Sequence, residues 1–355
     1  MSQAVEGSSR LRVALVMPAL NEEASVDAVL QAVRASTRLP DEIVVVDAGS
    51  TDRTRERVQA HADAGLPIRL LVQPGAWPGV GRNAGARAAT SELLLFLDFG
   101  NLVDPQWIAA MAEPFERDAR IEAVGGLYEP LVTSDFERCV AAIQYQEATL
   151  FARLSEAEQR ARAPRTIRLG GLGMAVRRDV YLRLGGQPAW LRAGEDLLFG
   201  HKLLACQAPV AVAWGARLHH HMRRTPGELF RQNRTYARGE ARVGLGGRQQ
   251  LRLAAVYGSL LLGMAAAVLG WWPAAAASAA VAAAYLHRTG IRRLRRVFGP
   301  QQPGGARQAL MAVVAVLAKD LGSLSGHAIG TAEWLLQPRW REQCRRYMAA
   351  VDAPR

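Results

Sequence analysis

The chain has 355 residues, half of them hydrophobic but only 6% aromatic, and carries a formal net charge of +12. That length allows one large α/β domain plus an appendage. The basic excess is nearly all arginine and suits anionic partners such as nucleotide diphosphates or phospholipid surfaces. No basic stripe with interleaved aromatics occurs, which argues against nucleic acid. Cys139, Cys206 and Cys344 stand apart with no CxxC or Cys/His spacing, which argues against a disulfide framework or a structural zinc.

Residues 1–10 are expected to form a flexible N-terminus. The apolar run from Val13 to Leu20 is too short for a secretory signal and leads straight into Asn21-Glu22-Glu23, so the front of the chain is expected to stay in the cytoplasm. Residues 12–18 read as a buried strand ending at a proline. Val26, Val29, Leu30 and Val33 then share one face of a helix over 24–35. A second apolar strand at 42–47 ends on an acid and is followed by a helix over 51–63. A third strand at 68–73 leads through a Gly- and Pro-rich loop to a helix near 81–90. A fourth strand at 92–98 again ends on an acid. Alternating strands and helices with near-continuous apolar strands indicate a mostly parallel sheet covered on both faces. Ligands bind such sheets beyond the carboxyl ends of the strands, where Asn21, Asp47 and Asp98 fall.

Beyond residue 120 the pattern is mixed. Residues 121–128 and 166–176 read as strands whose glycines mark close approaches, with helices over 135–160 and 195–205. At residue 251 the composition changes. Residues 253–272 carry no charge and are about long enough to span a bilayer. Pro273 is expected to break this segment, and 274–286 to return as the shorter arm of a hairpin over 251–287. Trp271 and Trp272 would sit at the far interface, and Arg292, Arg293, Arg295 and Arg296 would hold the next loop on the cytoplasmic side. Within 288–355, the apolar stretch 307–336 contains Lys319, Asp320, His327 and Glu333. It reads as a third span, a re-entrant element or an interfacial helix. The basic tail (Arg339, Arg341, Arg345, Arg346) favours a cytoplasmic C-terminus and an even number of spans.

Seven segments carry the chemistry. In order they are MPALNEEASV (17–26), VVVDAGSTDRT (44–54), GVGRNAGARAAT (79–90), LLLFLDFGN (93–101), RLGGLGMAVRRDVYLRLGG (168–186), GEDLLFG (194–200) and RQNRTYARG (231–239). Together, with their order and spacing, they resemble the family 2 glycosyltransferases over roughly residues 11–240. The resemblance implies a GT-A-like α/β fold followed by a helical membrane region. It also implies transfer of a sugar from a nucleotide-diphosphate sugar to an acceptor, here a membrane-linked polyprenyl phosphate, lipid-linked glycan or glycolipid. The reaction would invert the sugar, at the cytoplasmic membrane, as in cell-envelope polysaccharide synthesis.

The same resemblance implies roles for individual residues. Pro18, Ala19, Asn21 and Glu22 line the nucleotide. Asp47 contacts base or ribose, with Gly49, Ser50 and Asp52 shaping the turn. Arg82 lies near the nucleotide, and Asp98 faces ribose and metal. Asp196 is the candidate general base with Glu195 beside it, while Gln232, Arg234 and Tyr236 lie under the diphosphate and the acceptor. A divalent cation, Mg²⁺ or Mn²⁺, is the expected cofactor. The D-x-D counterpart departs from the pattern, since it reads Asp98-Phe99-Gly100. Asn101 offers only a neutral oxygen, and Asp104 stands further off. His219 and His221 could converge from one strand face, but further ligands are missing.

Each feature also has a plainer reading. Asn21 and Ser50 suit helix caps, Asp52 suits a first turn, and Asp196 suits a solvated helix start. Two acids at neighbouring sheet ends, Asp47 and Asp98, have little structural use. A competing function is a non-catalytic nucleotide-sugar-binding or assembly subunit of a polysaccharide complex, which the weakened D-x-D motif would suit. Gly79-Val80-Gly81 is not a dinucleotide fingerprint, and no Gly-rich, Lys-containing loop of a nucleotidyltransferase follows strand one.

Overall fold

The computed structural model describes residues 10–145, 158, 173–298 and 305–349. The chain divides into two compact units. One comprises residues 1–129, 154–220 and 346–355, and the other 130–153 and 221–345.

The first unit is built on an eight-stranded sheet. Its strands are β1 (Val13–Ala19), β2 (Glu42–Asp47), β3 (Ile68–Val72), β4 (Leu93–Phe96), β5 (Asn101–Val103), β6 (Ala123–Leu131), β7 (Met174–Arg177) and β8 (Val210–His221), in the order β3-β2-β1-β4-β7-β6-β8-β5. The first four are parallel, with Leu15 of β1 paired to Ile43 of β2 and to Leu95 of β4. The sheet then changes character. β7 runs antiparallel to both β4 and β6, and β5 antiparallel to β8. The mostly parallel sheet expected from the sequence is thus a mixed one.

Side-chain alternation along the parallel strands explains why both faces are covered. Val13, Leu15 and Met17 pack with Val26, Val29, Leu30 and Val33 of α1 (Val26–Arg34), Val58 of α2 (Thr54–Asp63) and Trp107, Ile108 and Met111 of α4 (Trp107–Arg117). Ala14 and Val16 face the other way, toward Ala86 of α3 (Pro78–Ala88), Tyr181 of α6 (Arg178–Arg183) and Phe199 and Leu203 of α7 (Glu195–Ala205). The period of two puts consecutive residues on opposite faces, so an uninterrupted apolar run is what a doubly covered strand requires. Helix α3 lies close to the sheet because Gly81 and Gly85 lack side chains. A Cβ on Gly85 would overlap Val16 Cγ1, and one on Gly81 would come within 3.2 Å of Pro18 Cβ.

The second unit is helical. It contains α5 (Asp135–Gln144), α8 (Pro226–Ala241), α9 (Gly247–Val268), α10 (Trp272–Leu286), α11 (Arg292–Phe298), α12 (Gly305–Leu336) and most of α13 (Pro338–Ala349). Helices α5 and α8 fall in sequence that was read as part of the 11–240 domain. Of the helix expected over 135–160, residues 135–144 are helical. Most of the remainder, like most of the strand expected over 166–176, lies outside the described residues.

The break between α9 and α10 is at Gly270, not Pro273. Gly270 has φ +80°, its amide donates to Ala267 O at 3.1 Å, and the Trp271 amide donates to Ala266 O at 2.7 Å. This is a Schellman ending, in which glycine takes the left-handed turn and satisfies the last carbonyls. Pro273 stands in the first turn of α10, where its missing N–H costs nothing. Among the described residues two helices, Gly247–Val268 and Gly305–Leu336, are long and apolar enough to cross a membrane by length and composition. Helix α12 packs on α8 through Gly322, Gly326 and Gly330. A Cβ at each would overlap the backbone carbonyl oxygen of Phe230, Arg234 or Arg238 respectively. Asp320, fully buried, accepts from Tyr257 Oη of α9 at 3.0 Å, Tyr285 Oη of α10 at 2.6 Å and Lys319 Nζ at 2.7 Å.

Candidate active site

The loops after β1 and β2 are laced together by side chains reaching backbone amides. Asn21 has φ +54°, and its amide donates to Ser50 Oγ at 2.9 Å while its Oδ1 accepts from the Thr51 amide at 2.9 Å. The Glu22 amide donates to Thr54 Oγ1 at 2.7 Å, and the Glu23 amide to Asp52 Oδ2 at 3.1 Å. Asp47 is fully buried, and its Oδ2 accepts from the Gly49 and Ser50 amides, both at 3.1 Å. Gly49 meets this turn with φ +99°, a region that favours glycine. Asn21, Asp47, Gly49, Ser50 and Asp52 therefore converge as one constellation at the carboxyl end of the sheet. Desolvation pushes the Asp52 carboxyl up, but hydrogen bonds from Thr54 and the Glu23 amide outweigh it and leave it below the usual range.

Arg82 organises the acids. It is almost wholly buried and reaches both sides of the site. Nη2 donates to Asp98 Oδ1 and Oδ2 at 2.7 and 2.8 Å. Nη1 donates to Glu195 Oε1 at 3.0 Å and to Gln187 Oε1 at 3.1 Å. Burial works against the charge of Arg82, yet Asp98 first and Glu195 next outweigh it, and its pKa rises. Burial lifts the Glu195 carboxyl to about 7 against the pull of Arg82, with Asp196 and Asp98 adding to the rise. Glu22 is also raised by burial, opposed by the hydrogen bond from Ser25 and reinforced by the charges of Asp98 and Asp52. Asp196 stands in the first turn of α7 beside Glu195, its Oδ1 accepting from the Leu197 amide at 2.7 Å. A buried guanidinium bridging two acids is weak as a stability device but sets protonation states, which is the pattern of a functional site.

Among the described residues no site for a divalent cation is preformed. Both oxygens of Asp98 are engaged by Arg82, and Gly100, at φ +83°, fills the place of a second acid. Asn101, expected as a neutral ligand, is committed elsewhere. Its Nδ2 donates to Asp98 O at 3.0 Å and its Oδ1 pairs with His220 Nδ1 at 2.7 Å. His219 Nε2 pairs with Asp104 Oδ1 at 2.7 Å, and among the described residues no group of three His, Cys, Asp or Glu is placed to hold a metal.

The sequence and the fold have matches among known proteins. Residues 14–185 match the family described as Glycosyl transferase family 2. Those residues form a domain of that family. The chain is similar to validoxylamine A glucosyltransferase of Streptomyces hygroscopicus subsp. limoneus, at 35% identity over 33% of this chain and 27% of the relative. It is also similar to an uncharacterized glycosyltransferase of Haemophilus influenzae, at 27% identity over 54% of this chain and 62% of the relative. The chain thus spans between about a quarter and three fifths of the length of these relatives. Among solved structures it shares its fold with mannosyltransferase PcManGT of Pyrobaculum calidifontis, solved with GDP-Man and Mn²⁺. That match has a TM-score of 0.59 and 20% identity, and covers 87% of each chain.

Sequence reading singled out Arg82, Asp98 and Glu195 but not Gln187, which meets Arg82, nor the role of Asn83, which holds Gln187. Asn83 Nδ2 donates to Gln187 O at 2.6 Å, and Asn83 Oδ1 accepts from Tyr181 Oη at 2.7 Å and from the Gln187 amide at 2.9 Å. The signal for Gln187 was slight: it follows the Gly185-Gly186 pair, whose φ values are +81° and +65°. Gln232, Arg234 and Tyr236 belong to the second unit, on α8. Arg234 and Tyr236 are exposed, and the amide oxygen of Gln232 accepts from Arg223 Nε and Nη2 at 3.2 and 3.1 Å.

Proposed function

We propose that this chain transfers a sugar from a nucleotide-diphosphate sugar to an acceptor held at the cytoplasmic membrane, with inversion at the anomeric carbon. The observation that carries the reading is Arg82 spanning Asp98 and Glu195 at the carboxyl end of β4, with Asp196 beside them. The nucleotide lies along Pro18, Ala19, Asn21 and Glu22, with Asp47 and its turn toward base and ribose. Asp196 accepts the proton of the acceptor hydroxyl. The acceptor oxygen bonds to the anomeric carbon as the bond to the diphosphate breaks, and the nucleoside diphosphate leaves. A single displacement of this kind inverts the centre. Arginine neutralises charge on the leaving diphosphate, with Arg82 the first candidate.

The membrane part of the proposal rests on the hairpin α9–α10. Leu261, Leu262, Val268, Leu269, Trp271 and Trp272 are all exposed along it. Its apolar arms, 253–268 and 272–286, are about 24 and 22 Å long, against an apolar bilayer core of about 30 Å. The left-handed Gly100 in place of an acid favours a second reading, a nucleotide-sugar-binding subunit without catalysis. A screen of radiolabelled nucleotide-sugars with membranes, followed by lipid extraction, tests the proposal. Label in the lipid phase from one donor supports it, and donor binding without any transfer favours the subunit.

A further inference from the structure

The peptide joining Gly186 to Gln187 is gripped at both ends. Its N–H donates to Asn83 Oδ1 at 2.9 Å, and its carbonyl accepts from Tyr347 Oη at 2.7 Å. Tyr347 is one of the last described residues of the chain, in the final turn of α13, and it belongs to the first unit. The Tyr347 ring covers Lys202 Nζ at 4.1 Å, and that buried ammonium donates to Leu184 O at 2.7 Å. Gly186 leaves no room for a side chain: a Cβ there would overlap Asn83 Oδ1 and lie 3.0 Å from the Tyr181 ring. The turn 184–187 is therefore held by α3 through Asn83, by α7 through Lys202, and by the C-terminal segment through Tyr347.

What this turn delivers is Gln187. Its side chain is buried, Oε1 accepts from Arg82 Nη1 at 3.1 Å, and its Nε2 has no hydrogen-bond partner among the described residues. A peptide plane is rigid, so fixing its carbonyl fixes the direction in which the next residue leaves. We propose that Tyr347 is a positioning residue for catalysis: by holding the Gly186 carbonyl it orients Gln187, and through Gln187 it sets the guanidinium of Arg82 between Asp98 and Glu195. The segment beyond the apolar helices is then part of the site's support. The kinetic consequence rests on the sugar-transfer reading above; the clamp itself does not.

Tyr347→Phe keeps the ring over Lys202 and removes one hydroxyl, so the fold is preserved. In the full-length protein, hydrogen exchange over residues 182–190 should accelerate in Tyr347→Phe, because the Gln187 amide loses its fixed plane, while β1 and β2 stay protected. In steady-state assays Tyr347→Phe should lower kcat by about 3- to 10-fold, the worth of one hydrogen bond, with donor KM little changed. Gln187→Leu should lower kcat at least as much, and the double variant should be no worse than Gln187→Leu alone, since both act through one group. Unchanged exchange over 182–190 in Tyr347→Phe overturns the clamp whether or not turnover is seen. Multiplying losses in the double variant overturn the route through Gln187. A wild type that binds donor but shows no transfer defeats the sugar-transfer reading, and the exchange measurement still decides the clamp.

Discussion

At the scale of single residues, Glu195 is the most informative titrating group. Burial raises its carboxyl from 4.5 to about 7 despite Arg82. A group raised in the fold favours the folded state below its unfolded value, and that contribution is lost as pH rises through the folded value. Stability should therefore decline between about pH 4.5 and 7 in wild type, and Glu195→Gln should flatten that decline. Denaturant melts across this range check it, and an identical slope in both proteins contradicts the assignment. Gly100 bears on metal use. Its Cβ direction is open, but φ +83° makes Gly100→Asp strained by about 1 kcal/mol or more. Manganese titration of wild type should show no binding without nucleoside diphosphate, because Asp98 is already paired with Arg82. Tight donor-independent binding would show that another ligand set holds the ion. Gly100→Asp should strengthen binding only if positions 98 and 100 converge.

At the scale of elements, the glycine row of α12 makes a sharp demand. In an exposed helix interior, replacing Gly by Ala gains about 0.5–1 kcal/mol, whereas overpacking costs about 1–3 kcal/mol. Gly326→Ala should therefore destabilise, since its Cβ overlaps the Arg234 carbonyl, while Gly258→Ala, which meets nothing, should be neutral or stabilising. Thermal melts in detergent compare the two, and equal effects would mean that α12 does not press on α8. The parallel half of the sheet was legible because a strand buried on both faces is an apolar run, and Asp47 and Asp98 break that run at the carboxyl ends of the strands. The antiparallel half was less so. Val210–His221 is only partly buried and carries Arg217 and three histidines, and Asn101–Val103 is three residues long. The bridging role of Arg82 and the turn service of Asn83 and Gln187 leave no periodic trace, because a buried amide serving backbone groups follows tertiary contact. Pro273 was the louder breaker in the sequence, yet Gly270 ends the helix, because proline is tolerated in a first turn and glycine alone enters the left-handed one freely.

At the scale of the whole molecule, a net charge of +12 and an exposed apolar hairpin combine into one expectation. The protein should fractionate with membranes and resist high salt, because salt screens arginine–phosphate attraction but leaves apolar insertion intact. A chain ending near Arg248 should be soluble or loosely peripheral, and full-length protein in the high-salt supernatant would place the hairpin in a soluble core. The central claim is that the acids around Arg82 perform sugar transfer with Asp196 as base. Asp196→Asn tests it most directly, through turnover and nucleotide affinity measured on the same preparation. Turnover should fall by about 10²–10⁴, the usual cost of losing a general base, with affinity nearly unchanged. A variant that keeps more than about a third of wild-type turnover would contradict the claim.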